Sequence, residues 1–293
     1  MLNAFAIGVG STDLAAVLLT GKIWLKVPET IRIELSGSFR TGVSAKDLIL
    51  FLIGQLSISG ATYKAIEFSG SALDELSLAS RMTIANMSAE MGAKTGLVDP
   101  TGLKLPQPFE PIFSDPGAGY IEEYHFDISE LQPMVAVPHR PDKVRPVNEI
   151  AGRPIQQAFI GSCTNARLED LRMAAGVLEG RQVHPNVRFI VAAASKQVYE
   201  EALADGTIAT LSQAGATFIT SGCGPCVGTH QGIPADDEVI ISSTNRNFRG
   251  RMGNPNAAIY LGSPATVAAS AARGEITNPV ELLAGDELAW ELL

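Results

Sequence analysis

Between residues 156 and 178 the chain reads QQAFIGSCTNARLEDLRMAAGVL. The short apolar run QQAFI gives way to the turn GSCTN, and the helical segment ARLEDLRMAAGVL follows. The same strand, turn and helix succession recurs downstream, where VRFIVAAA leads to SKQVYEEALA, ATFIT to SGCGPC and EVIISS to TNRNFRG. Alternation of this kind predicts an α/β domain with a largely parallel sheet. Ser263-Pro264 then opens a further helix, ATVAASAA, that stops at Gly274. Serine serves there as cap, proline occupies the first helical position, where its missing N–H is not needed, and glycine ends the run.

Towards the amino terminus the texture differs. Residues 6 to 25 read as a Gly-rich turn, GVGST, opening an Ala/Leu-rich helix capped by Ser11 or Thr12. From Val27 the segment ETIRIEL alternates apolar and polar residues like a half-buried strand, and SAKDLILFLIGQL reads as a helix capped by Ser44. A second helix is expected from about Ser71 to Met91 on the spacing of Leu73, Leu76, Met82, Ile84 and Met87. Residues 96–119 and 132–147 are dense in proline and lack a period, so both are expected to be irregular. The organisation that follows is three segments, 1–26, 27–120 and 121–293.

The 293 residues, 46% apolar and 18% charged, are enough for a sizeable core. A net charge of -9 offers no basic field to attract nucleic acid or an anionic membrane, so a small-molecule role is favoured, with any anionic substrate met by local cations. The apolar start has no basic flank and is interrupted by Asp13 and several glycines, which is not the pattern of a signal peptide or a membrane span. The expectation is a cytoplasmic protein. Three cysteines are an odd number and too few for a disulfide framework, and two of them are spaced C-x-x-C, which suits metal or redox chemistry.

Ligands of open α/β sheets collect beyond the carboxyl ends of the strands. GSCTN, SGCGPC and STNRNFRGR each follow an expected strand, which sends Cys163, Cys223, Cys226, Asn245, Arg246 and Arg251 towards one rim. Thiolates are soft ligands for zinc or iron–sulfur iron, and glycines around them let the backbone approach a bulky cluster. A closed site takes four protein ligands. With three cysteines, a bound cubane leaves one iron open to water or substrate, the position a Lewis-acid catalyst needs. The guanidinium forks of the arginines match carboxylates. Two other readings stand beside this one: the dithiol of thioredoxin-like proteins in C-G-P-C, and zinc held by three cysteines and His230. His125, His139 and His184 are assigned no role.

Taken together, GVGSTDLAAVLLTGKIWLKVPETI, SGATYKAIEFSGSALDELSLASRMTIANMSAEMGAKTGLVDPT, GSCTNARLEDL, SGCGPCVGTHQG and STNRNFRGRMGNP resemble the signatures of the aconitase superfamily, in its isopropylmalate dehydratase and homoaconitase branch, over essentially the whole chain. The resemblance implies aconitase-like α/β/α domains with mainly parallel sheets and an iron–sulfur site at the strand carboxyl ends. It implies a 4Fe-4S cluster on Cys163, Cys223 and Cys226, substrate binding by Asn245, Arg246 and Arg251, and a catalytic glutamate at Glu67 that approaches the reacting hydroxyl. The implied reaction is removal and re-addition of water on a hydroxy-di- or tricarboxylate, first of all 2-isopropylmalate in leucine biosynthesis, with homoaconitate or a methylated malate as alternatives. It also implies a small swivelling-domain subunit that brings the serine base. Large subunits of this branch carry a segment with Asp-His and Asp-Ser-His motifs ahead of GVGSTD. The chain is expected to lack that segment and to be inactive alone, either as one part of an enzyme or as a silent cluster-binding module.

Overall fold

The computed structural model describes residues 4–103, 105 and 109–283. After helix α1 (Ser11–Thr20), the chain forms strand β1 (Thr30–Ser36), helix α2 (Ala45–Leu56), strand β2 (Ala65–Ser69), helix α3 (Leu78–Met87), strand β3 (Thr95–Val98) and strand β4 (Glu122–Asp127). The four strands make one parallel sheet in the order β3-β2-β1-β4. In β1 the alternation read from the sequence decides which side is buried: Ile31, Ile33 and Leu35 face the core, and Arg32 and Glu34 face out.

The rest of the chain builds a second sheet. Its strands are β5 (Met134–Ala136), β6 (Val144–Pro146), β7 (Gln157–Ile160), β8 (Arg188–Val191), β9 (Thr217–Phe218), β10 (Val239–Ser242) and β11 (Ala258–Leu261). Its helices are α4 (Leu168–Leu178), α5 (Lys196–Ala204), α6 (Thr207–Gln213) and α7 (Pro264–Arg273). The order β6-β5-β11-β10-β7-β8-β9 is parallel from β11 to β9, with β5 and β6 added antiparallel at one edge. The α/β expectation with mainly parallel sheets is met by both sheets.

Period-2 alternation in the second sheet feeds two cores. Phe159, Ile190, Ile240, Ile259 and Leu261 share a cluster with α2, α3 and the inner face of the first sheet. Their strand neighbours Ala158, Ile160, Val191, Ile241 and Tyr260 pack under α4, α6 and α7 on the opposite face. Helices α2 and α3 are thus sandwiched between the sheets, which accounts for α2 being buried almost all round.

Three sequence expectations are adjusted. Strand β4, assigned from the sequence to the third segment, pairs with β1 and so belongs to the first sheet. The proline-rich stretch 132–147 contributes the β5–β6 hairpin, which tolerates proline because it lies at the sheet edge. The helix expected over 71–91 is three pieces, a 3-10 turn over Ser71–Glu75, then α3, then a 3-10 turn over Ser88–Met91. Ser77 interrupts the run by capping α3, its hydroxyl accepting from Ser80 N–H.

Candidate functional site

In the second sheet the chain runs outward from β7 to β8 and β9, then returns to the other side of β7 to form β10. The strand order reverses between β7 and β10, and the crevice beyond their carboxyl ends is where such a sheet takes ligands. The turn after β7 carries Cys163, the segment after β9 carries Cys223 and Cys226, and the loop after β10 carries Asn245, Arg246 and Arg251. All six line a single cavity of about 610 Å³. It is closed on the other side by Asn86 at the carboxyl end of α3, by Glu90 in the 3-10 turn that follows, and by the start of β3.

Hydrogen bonds hold these turns in mutual register. Ser243 Oγ accepts from Gly161 N–H at 3.1 Å and donates to the Asn165 carbonyl at 2.9 Å, so the β10 exit closes both ends of the Cys163 turn. Asn86 Oδ1 accepts from Thr164 Oγ1 at 3.0 Å and from Asn245 Nδ2 at 2.7 Å, joining α3 to two of the three loops. The Arg167 guanidinium donates to the carbonyls of Cys163, Thr164 and Ala79. Between the second and third loops the backbones nearly touch. A Cβ on Gly228, where φ is 68°, would stand 2.2 Å from Gly253 N, so only glycine permits this approach.

Charge is distributed unevenly around the cavity. Arg246 Nε donates to both oxygens of Glu90, at 2.8 and 2.9 Å, and the Glu90 side chain is only 4% exposed. Burial pushes the Glu90 carboxyl above its ordinary range, and the Arg246 guanidinium holds it back. Burial likewise pushes the Cys226 thiol up; Arg251 opposes that shift, and Cys223 and Cys163 add to it, as thiols sharing one pocket do. Among the described residues, Asn245 Oδ1 and Arg251 Nε are buried without a hydrogen-bond partner. Unpaired buried polar atoms are uncommon, and these two belong to residues that line the cavity with the cysteines.

The donor set fits an iron–sulfur cluster. A cubane takes each thiolate on a different iron, so its cysteines surround a volume and do not converge on one point. Among the described residues no three His, Cys, Asp or Glu side chains are grouped to hold a single metal ion. His230 lies outside the lining of the cavity, with Nδ1 3.2 Å from Gln231 Oε1. The dithiol reading uses Cys223 and Cys226 alone, whereas Cys163 arrives from a different strand and lines the same cavity.

Glu67 is placed elsewhere. In β2, Ile66 and Phe68 point into the core, and alternation turns Glu67 to the outer face, in register with Arg32. Its carboxylate accepts from Ser114 Oγ at 2.6 Å and Tyr120 OH at 3.0 Å and lines a separate cavity of about 240 Å³. The carboxylate of the cysteine cavity is Glu90, which the sequence reading passed over together with Asn86. The signal that finds them is their four-residue spacing in NMSAE, which sets both on one helical face.

A model of the aconitase family (aconitate hydratase) matches residues 1–105 and 146–274. The chain is 52% identical over 284 residues to a probable methanogen homoaconitase large subunit of Methanosarcina mazei, covering 94% of this chain and 72% of that protein. It is 50% identical over 288 residues to 3-isopropylmalate dehydratase large subunit 1 of Methanopyrus kandleri, covering 95% of this chain and 68% of the relative. The corresponding large subunit of Moorella thermoacetica is 49% identical over 289 residues, 96% of this chain and 69% of its own length. A family match that takes in strands of both sheets, with about half of all residues shared along nearly the full length, means that this chain belongs to the aconitase family.

Proposed function

We propose that the chain is the cluster-bearing large subunit of a hydro-lyase that dehydrates and rehydrates a hydroxy-di- or tricarboxylate, with 2-isopropylmalate as first substrate. The observation that carries this reading is the meeting of three cysteines with Asn245, Arg246 and Arg251 in one cavity at the sheet's switch point. Cys163, Cys223 and Cys226 would hold a 4Fe-4S cluster, which supplies a Lewis-acidic iron with an open position for a hydroxyl group. The chain's own side chains bind and orient the substrate. Arg251 and the terminal amino groups of Arg246 face the carboxylates, while Glu90, holding Arg246 by Nε, fixes the direction of that fork. Asn245 Oδ1, which meets no donor among the described residues, accepts from the substrate hydroxyl in this reading.

Glu90, buried and raised, is the carboxylate of this cavity suited to hold a proton near the reacting hydroxyl. The remaining acid–base groups come from outside the described cavity, the base from a small swivelling-domain subunit; the names of the relatives, which are large subunits, support such a partner. Homoaconitate is the second substrate reading, favoured by the 52% identity to the methanogen homoaconitase subunit. After anaerobic reconstitution with iron and sulfide, the chain is assayed on 2-isopropylmalate and on homoaconitate, with and without a small subunit. Turnover with the small subunit is expected, and its absence from every arm would sink the hydro-lyase reading. Changing Cys163, Cys223 or Cys226 to serine is expected to abolish the broad visible absorption of the reconstituted protein.

A further inference from the structure

Lys46 lies on α2, between the two sheets, and is fully buried at 0% exposure. Withdrawing an ammonium from water is costly even after the surroundings relax. A methionine fills a similar volume without that penalty, so packing alone does not account for a lysine here. Its Nζ donates to the carbonyls of Ser243 at 2.7 Å and Thr244 at 2.8 Å. Among the described residues no carboxylate pairs with it directly. Burial lowers its pKa to about 8, against the pull of Asp170, Glu90, Asp47 and Cys226, so it stays mostly charged at neutral pH.

The two carbonyls are well placed to matter. They immediately precede Asn245 and Arg246, and the Ser243 hydroxyl is the group that joins both ends of the Cys163 turn. One ammonium therefore anchors the β10 exit and, one residue removed, the β7 exit, within electrostatic reach of Cys226. We propose that Lys46 is a positioning residue and buried counter-charge of the cysteine cavity: it sets the 243–246 turn through two carbonyls and fixes a positive charge behind a site whose three thiolates make its occupant anionic. This rests on the iron–sulfur reading given above. A fixed positive charge close to a cluster favours the reduced, more negative state, because net charge and burial tune such potentials.

The test compares reconstituted wild type, Lys46→Gln and Lys46→Met. Iron and acid-labile sulfide report cluster binding, and a redox titration followed by electron paramagnetic resonance reports the midpoint potential. Glutamine keeps two N–H donors for the carbonyls and drops the charge; methionine drops both. Both variants are expected to shift to a more negative potential, and Lys46→Met alone to lose cluster affinity by about 10- to 100-fold, the usual scale for a supporting partner. An unshifted potential in Lys46→Gln overturns the inference, and it does so even if Lys46→Met fails to fold. Failure of the underlying reading looks different: the wild-type chain then takes up no iron or sulfide before any substitution is made, and the inference falls with it.

Discussion

At the scale of single residues, the site divides two glutamates by geometry. Glu67 is on the outer face of the first sheet, engaged by the Ser114 and Tyr120 hydroxyls, and Glu90 shares the cysteine cavity with Arg246. If the carboxylate that serves the reaction is the one in the cavity, Glu90→Gln should lower kcat by about 100-fold or more, the range for loss of a general acid–base group. Glu67→Gln should stay within a few-fold of wild type. Steady-state kinetics of the two variants with the small subunit present decide it, and a reversed order would return the role to Glu67. The alternation of Ile66, Glu67 and Phe68 already states that Glu67 faces away from the core. Which side of that sheet the cysteines occupy depends on how the two sheets pack, and no local pattern carries that.

At the scale of elements, caps and alternation were legible because they are local. Ser44 caps α2 as its sequence predicts, and Asp47 completes the capping box, accepting from Ser44 N–H at 2.8 Å and from Met134 N–H at 2.9 Å. Ser263, Pro264 and Gly274 bound α7 as read. The start of α1 follows Gly10, one residue before the expected serine cap. What stayed hidden depends on distant partners: β4 finds β1, the proline-rich stretch supplies an edge hairpin, and β11, AIYL, is too short to stand out between two turns. The Asp47 cap has a consequence for acid behaviour. Burial raises its carboxyl from 3.8 to about 6, more than its hydrogen bonds lower it. The folded chain then holds a proton that the unfolded chain has released, so this contribution is present below pH 3.8 and is lost as pH rises through about 6. Its full size is at most about 3 kcal/mol at 1.36 kcal/mol per unit. Urea unfolding of wild type and Asp47→Asn between pH 4 and 7 is expected to show wild type losing stability relative to the variant as pH rises, and parallel profiles would refute it.

At the scale of the whole molecule, the chain combines a densely packed interior with an apolar amino-terminal surface. Three loops and the end of α3 are cross-braced at the switch point by Asn86, Arg167, Lys46 and Ser243, so the cavity belongs to both sheets and is not assembled by either alone. Helix α1 has no buried residue, and along residues 14–27 Leu18 is 79% exposed, Leu19 87%, Trp24 80% and Val27 83%. Apolar side chains gathered on one surface segment favour association, and the net charge of -9 opposes it only at long range. The isolated chain is therefore expected to self-associate with rising concentration in sedimentation velocity. The double substitution Leu18→Glu with Leu19→Lys keeps the net charge and good helix formers and should suppress that association. Because both side chains project into solvent, the change should leave the unfolding midpoint within the small range of surface substitutions, about 0.5 kcal/mol, and iron uptake should not alter. Association that persists in the double variant would show that the adhesive surface lies elsewhere, and a loss of iron uptake would show that α1 supports the cavity that Ala6, Ile7 and Gly8 help to line.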